Sequence, residues 1–555
     1  MMYNARPSLN GRAFCLPIPQ FCATQGPGMR FFTNFSHMKK YPIGIQDFEV
    51  LRQDGYIYVD KTAHIYELIS TGKYYFLSRP RRFGKSLLLT TLKYLYLGKK
   101  ELFEGLWIAG RHHWVPHPVI HISFSSIGYK DIGLKAAIEQ ELKRQGKAYG
   151  LDLKQEGVAL GFRELIEQLG KSGQKVVVLI DEYDKPLIDY IHDPSQAALH
   201  REILKTFYSV LKDADPHLEF LLITGVSKFS KVSLFSDLNN LEDLTLAPAA
   251  ATLAGYTQAE LEHSFEDSLH ALARAEGLSL EALLEKVREW YNGYSWHGEQ
   301  RLYNPFSVLT LLKHRRFGNY WWETGTPTFL IRLLREGFHY QLDELEAGPP
   351  MFEAFTLDNL NWLALLFQTG YLTIKGYDAA TRLYTLGYPN LEVKDTMQQH
   401  LLAAYRGVPA TESLPLLVKI KKALEGGNLP GFIGLVDALF ASIPHQIFLQ
   451  KQEAFFHAIL HLSFSGVGMM VQSEVSSSRG RVDTVVHTRD RIYVMEFKLD
   501  DTADAALAQI REKRYGSRYL HSGKEVIALG VSFSSQTKTV KEWRAIPYAD
   551  LLVEG

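Results

Sequence analysis

Apolar residues recur along this chain in two rhythms. From Tyr41 to about residue 250, short continuous apolar runs alternate with longer stretches in which apolar residues return every three or four positions. The first rhythm predicts strands buried on both faces, and the second predicts helices with one buried stripe. Tyr74–Ser78, Val119–Ser125, Val176–Ile180 and Phe220–Thr224 are the predicted central strands, with crossover helices over Lys85–Leu97, Leu134–Gly146 and Phe162–Leu169. Such alternation builds an α/β fold: a three-layer sandwich around a largely parallel sheet.

Beyond residue 250 the strand rhythm fades. Gln258–Leu269 and Leu278–Trp290 predict amphipathic helices that stop at the breaker Tyr291-Asn-Gly293, which suits a helical lid. Residues 326–445 read as a mostly helical connector punctuated at Gly348–Pro350 and Gly426–Pro430. The end of the chain changes again, with a helix over Glu453–Leu462, strands over Gly480–His487, Arg491–Phe497 and Val526–Ser532, and a helix over Ala505–Arg514. The expected division is an unstructured extension 1–40, an α/β domain 41–250, a lid 251–325, the connector 326–445 and a small α/β domain 446–555. A length of 555 residues, beyond what one core usually supports, agrees with several units.

Composition narrows the classes. Lys+Arg and Asp+Glu balance at 61 each, so no global basic field holds a polyanion, and any DNA or RNA binding must be local. Cys15 and Cys22 are the only cysteines, which argues against a disulfide framework or a cysteine zinc site and fits a reducing, cytoplasmic compartment. No apolar run reaches the roughly 18 residues that span a bilayer, so no membrane is expected. Residues 1–40 lack acidic side chains, as transit peptides do, but a plain disordered extension or an early start codon is the reading preferred, since Met38 opens a more domain-like stretch.

The chemistry begins at Arg79-Pro-Arg-Arg-Phe-Gly-Lys-Ser86. This segment follows a predicted strand and opens a predicted helix, the context of a Walker A phosphate loop. Arg81, Arg82, Phe83 and Gly84 would wrap the phosphates, Lys85 would neutralise the β and γ oxygens, and Ser86 would ligate Mg²⁺. Arg79 stands where the usual pattern has its first glycine, and with Arg81 and Arg82 it is expected to add charge around the phosphates. The strand at Val176 ends in Asp181, expected on Mg²⁺, and Glu182, expected to polarise the attacking water; Asp184 and Lys185 read as a solvated turn. Thr224, with Ser227 and Lys228 behind it, is placed to sense the γ-phosphate. ATP and Mg²⁺ are therefore the expected ligands.

These residues resemble a known family, the AAA-ATPase-like proteins fused to a PD-(D/E)XK nuclease-like domain. The resemblance rests on Tyr41-Pro-Ile-Gly44, Tyr58-Val-Asp-Lys-Thr62, the arginine-rich loop, Leu179-Ile-Asp-Glu-Tyr-Asp-Lys-Pro186, Thr224-Gly-Val-Ser-Lys228 with Asn239-Asn240, and Tyr291-Asn-Gly-Tyr294 followed by Tyr303-Asn-Pro-Phe306. It implies that Arg79 is the family's normal form, and that Tyr58–Thr62 lies near the nucleotide with Asp60 and Lys61 shaping the site.

A PD-(D/E)XK nuclease needs one acidic residue at a hairpin and an acidic-x-Lys on the next strand, so that carboxylates converge on Mg²⁺. Asp483 and Glu496-Phe-Lys498 supply that order, and strand alternation puts Glu496 and Lys498 on one face. Glu453 is a candidate third ligand and Gln509 a supporting residue. Arg479, Arg481, Arg511, Lys513, Arg514 and Arg518, interleaved with Tyr515 and Tyr519, are either phosphate and base contacts or a solvated basic face. His112, His113, His117 and His121 read as loop and strand-edge residues, and Tyr320-Trp-Trp322 as packing. Two functions stay open: an ATP-dependent enzyme that cuts nucleic acid, and a nucleotide-driven switch or scaffold whose nuclease fold binds without cutting. Oligomeric state is not legible.

Overall fold

The computed structural model describes residues 40–171, 173–228, 231–321, 328–352, 361–409, 414–443, 453–477 and 480–553. Five strands, β1 (Tyr74–Ser78), β2 (Val119–Ser123), β3 (Val176–Asp181), β4 (Leu218–Gly225) and β5 (Glu242–Asp243), pair in parallel in the order β2-β3-β4-β1-β5. Strand side chains alternate, so the sheet feeds two cores. Phe76, Val178, Ile180, Leu221 and Ile223 face one, and Tyr75, Leu77, Val177, Leu179 and Leu222 face the other. Helices Leu134–Ala148, Val158–Gly170 and Pro194–Asp213 cover the first face, and Lys85–Tyr96 covers the second.

The strand ends depart from expectation where function will lie. β2 stops at Ser123, whose carbonyl accepts from Ser126 N in a turn, and β3 carries through Asp181 itself. Helix Pro194–Asp213 is not marked by the apolar rhythm, because its first three turns bury only the small Ala197 and the polar His200 and its large apolar side chains begin at Leu204. Strand β5 escaped notice because it is two acidic residues long.

Three helices follow the parallel sheet: Gln258–Glu276 behind a capping box at Thr257, Leu280–Tyr291 capped by Ser279, and Pro305–His314 capped by Asn304. The following stretch is mostly helical but also holds an antiparallel sheet of β6 (Leu345–Ala347), β7 (Thr373–Asp378) and β8 (Leu383–Gly387). These strands are short and partly exposed, so they leave no apolar run to recognise.

The C-terminal sheet has the order β13-β12-β11-β10-β9, from β9 (Met470–Ser477), β10 (Gly480–His487), β11 (Arg491–Leu499), β12 (Glu525–Phe533) and β13 (Val540–Pro547). Only β11 and β12 run parallel, joined by the crossover helix Ala503–Lys513. That helix covers Val485, Ile492 and Val494. The opposite face, with Tyr493, Met495, Phe497 and Leu529, belongs to the same continuous apolar cluster as Phe76 and Ile180 of the N-terminal sheet. Helices Leu391–Arg406 and Glu453–Ser465 carry that cluster across.

Candidate functional site

The loop after β1 turns into helix Lys85–Tyr96 at Gly84, whose φ of +92° lies in the left-handed region where glycine costs least. Lys85 is 7% exposed, and its Nζ donates to the carbonyls of Arg79 at 2.9 Å and Pro80 at 3.0 Å. Burial pulls its ammonium below the ordinary lysine range, opposed by Asp181. One residue on, Ser86 Oγ donates to Asp181 Oδ2 at 2.5 Å, and from β4 Thr224 Oγ1 donates to Asp181 Oδ1 at 2.7 Å. Parallel register thus sets Asp181 between a helix start and a neighbouring strand end, where open α/β sheets collect ligands.

Glu182 follows with φ of +53°, a region that costs a non-glycine residue on the order of 1 kcal/mol or more. Its Oε2 is buried and accepts no hydrogen bond from the described residues. Burial and then Asp181 raise its carboxyl above the usual range, with Lys85 opposing. Over this floor lies a cleft of about 500 Å³. Lys85, Ser86, Glu182 and Asp184 line its polar end, and Pro42, Ile43, Phe306 and Leu309 its apolar wall.

Several expectations shift. Arg79 adds no charge to the cleft: it is fully buried, donates to the carbonyls of Ser78, Thr245 and Ala250, and stacks over Trp296 at 4.1 Å. Burial drags its guanidinium down to about 9. The reason is geometric, since the chain after β5 brings the carbonyls of Thr245 and Ala250 to the end of β1, beside that of Ser78. Arg81 and Arg82 do line the cleft, the latter over the Phe306 ring at 4.3 Å. Phe83 offers the loop only its backbone, because its ring packs on Tyr294 and Trp296. Thr224 is fully buried, and its hydroxyl holds Asp181 instead of lining the cleft. Asp184 is no solvated turn. At 1% exposure it accepts from Val226 N, Ser227 N and Ser227 Oγ and ties β3 to β4. Lys228 pairs with Asp243 at 2.8 Å. Lys61 pairs with Glu260 of helix Gln258–Glu276 at 2.7 Å, while Asp60 Oδ1 accepts from Thr62 N at 2.8 Å.

In the C-terminal sheet, the register that sets Thr484 opposite Met495 brings Asp483 and Glu496 together. Asp483 N donates to Glu496 Oε2 at 3.3 Å, and Phe497 N donates to Asp483 Oδ2 at 2.7 Å. Lys498 Nζ lies 3.4 Å from Glu496 Oε1 and donates to Gln509 Oε1 at 2.6 Å. Glu496 is 1% exposed; burial first, then Asp483, pushes its carboxyl up to about 8. Glu453 opens helix Glu453–Ser465, but its side chain lies outside the described residues, as do Arg479 and the side chain of Arg481. Among the described residues no group of three His, Cys, Asp or Glu is arranged to hold a metal.

Sequence reasoning missed two features. Pro42, Ile43 and Phe306 belong to the family's motifs, but apolar residues declare no chemistry until a cavity forms around them. His457 has Nε2 3.6 Å from Asp483 Oδ2. Its spacing of four from Glu453, which puts both on one helix face, was the available signal.

A parallel sheet in this order, with a Gly-Lys-Ser loop and an acidic strand end side by side, defines a P-loop domain, and the mixed sheet with its Asp, Glu and Lys is nuclease-like. The family described as "Predicted AAA-ATPase" matches residues 42–235, and the PD-(D/E)XK nuclease superfamily matches residues 451–543. The chain belongs to this AAA-ATPase-like family with a C-terminal PD-(D/E)XK nuclease domain. It is 40% identical over 516 residues to an uncharacterized protein in the vnfD 5' region of Azotobacter chroococcum mcd 1, covering 90% of this chain and 98% of the relative. No solved structure matches it. Among the described residues no helix is long and apolar enough to cross a membrane.

Proposed function

We propose that the N-terminal half binds and hydrolyses ATP with Mg²⁺, and that its nucleotide state controls a Mg²⁺-dependent nuclease at the C-terminus acting on DNA or RNA in the cytoplasm. The carrying observation is the convergence on Asp181, held by Ser86 and Thr224 next to a cleft lined by Lys85, Ser86 and Glu182, whose buried Oε2 has no donor among the described residues. A P-loop domain 41–250, a lid 251–325, a connector 326–445 and a nuclease domain 446–555 are the corresponding units.

Hydroxyl and carboxylate oxygens are the donors a hard cation prefers, so Ser86 with Asp181, and Asp483 with Glu496 and Glu453, fit Mg²⁺. When bound, the ion neutralises phosphate charge at the first site and lowers the pKa of water at the second. Lys85 turns from its own loop carbonyls to the β and γ oxygens, backbone N–H groups of Arg81 to Gly84 face the phosphates, and Glu182 accepts the proton of the attacking water. The apolar wall of Pro42, Ile43, Phe306 and Leu309 takes the base. In the nuclease, Lys498, steered by Gln509, positions the water against the scissile phosphate.

The test uses the full chain with Mg²⁺ or Mn²⁺, ATP and a mixed DNA and RNA panel. Lys85→Ala abolishes ATP binding, Glu182→Gln binds ATP but turns it over about 10²-fold more slowly or worse, and Asp483→Ala and Lys498→Ala each abolish cleavage. A wild type that binds no nucleotide overturns the first half. One that cuts nothing overturns the second and leaves a nucleotide-driven switch with a non-cutting binding domain.

A further inference from the structure

The residues that make this phosphate loop unusual are those the lid and connector touch. Arg79 stacks on Trp296, Arg82 on Phe306, and Phe83 against Tyr294 and Trp296. Gly370, with φ of +91°, lies so close to Pro80 that a Cβ there would come within 2.7 Å of it. Arg81 gives its carbonyl to the indole Nε1 of Trp321 at 3.2 Å. A loop that only bound phosphate would need none of these contacts.

From Trp321 the contacts continue in one direction. Its backbone N donates to Glu392 Oε1 at 2.7 Å, and Ser307 Oγ, next to Phe306, donates to Glu392 Oε2 at 2.8 Å. Asn319 Nδ2 donates to Asp395 Oδ2 at 2.6 Å, three residues further on the same helix. Glu392 is 1% exposed, and a buried carboxylate follows its donors because losing one leaves charge poorly solvated. It begins helix Leu391–Arg406, which packs on helix Glu453–Ser465, with Tyr405 and Phe455 rings 6.2 Å apart. That second helix packs on β9, β10 and β11 and brings His457 to within 3.6 Å of Asp483, its ring 5.7 Å from Phe497 between Glu496 and Lys498.

We propose that Glu392, gripped by Trp321 and Ser307, is the positioning residue through which the phosphate loop sets the placement of helix Glu453–Ser465 against Asp483. This rests on the reading of the loop as an ATP site and names how that site regulates the nuclease domain. The trigger is Lys85. Its ammonium now holds the carbonyls of Arg79 and Pro80, and turning to phosphate releases the two residues that precede the Arg81 carbonyl holding Trp321. Both lid and loop then pull on one carboxylate, and two packed helices transmit the shift as rigid bodies.

The test is hydrogen exchange of the full chain with and without ATP and Mg²⁺, with nucleotide binding followed in the same samples by fluorescence. In the wild type, ATP changes exchange across Glu453–Ser465 and β10 by about fivefold or more, the low end of ordinary coupling. In Glu392→Ala and in the milder Trp321→Phe, ATP still binds but that change is lost, while exchange in helix Lys85–Tyr96 still responds. Should Glu392→Ala fail to fold, Trp321→Phe carries the result. A wild type that binds ATP with no change at Glu453–Ser465, or variants that keep the full change, overturns the relay and leaves the ATP reading intact. A wild type that binds no ATP overturns both.

Discussion

At the scale of a residue, Glu496 is held in its neutral form. Buried and set against Asp483, its carboxyl rises to about 8, so from the ordinary carboxylate range up to about 8 the folded chain keeps a proton that the unfolded chain has released. The sign follows: without metal, stability is greatest below the ordinary carboxylate range, falls as pH rises through that window, and levels off above it. One proton is worth about 1.4 kcal/mol per pH unit. Melting in a chelator from acid to neutral pH is expected to show this slope in the wild type and a flatter one in Glu496→Gln. Adding Mg²⁺ or Mn²⁺ within the window should release a proton, read as a buffer-dependent heat in calorimetry. The sequence placed Asp483, Glu496 and Lys498 on facing strands by order and alternation, but nothing in it revealed that Glu496 would be 1% exposed.

At the scale of an element, the loop between β1 and its helix inverts an intuition. A glycine is the ordinary first residue of such a loop, yet here Arg79 satisfies three carbonyls and stacks on Trp296. Arg79→Gly, nominally a repair, is expected to lower stability by about 3 kcal/mol or more in urea denaturation, because buried carbonyls lose charged donors. Arg79→Lys is expected to recover little, since an ammonium lacks the planar fork that reaches separated acceptors. The strands and crossover helices around the loop were legible because burial on two faces or one writes a distinct apolar rhythm. β5–β8 were not, being too short or too exposed to write one.

At the scale of the molecule, one apolar cluster runs from the N-terminal sheet through helices Leu391–Arg406 and Glu453–Ser465 to the C-terminal sheet. A shared core couples the unfolding of the parts that share it. Calorimetry of the full chain is therefore expected to show one main transition that moves upward as a whole with ATP and Mg²⁺, by about 2.7 kcal/mol at a hundredfold excess over Kd. Two transitions, with the nuclease part indifferent to nucleotide, would contradict the shared core.

The sequence by itself determined the α/β class, the order of the central strands and their crossover helices, and the candidate residues for chemistry: Lys85, Ser86, Asp181 and Glu182 in one half, Asp483, Glu496 and Lys498 in the other. Those follow from local rules, since periodicity reports burial and a motif of fixed spacing reports the backbone around it. Only the tertiary structure decided that Arg79 serves the fold, that Thr224 and Asp184 hold neighbouring strands and side chains, that Glu392 accepts from Trp321 and Ser307, and that His457 lies beside Asp483. Each of those roles depends on partners tens to hundreds of positions away, which periodicity and motif spacing do not specify.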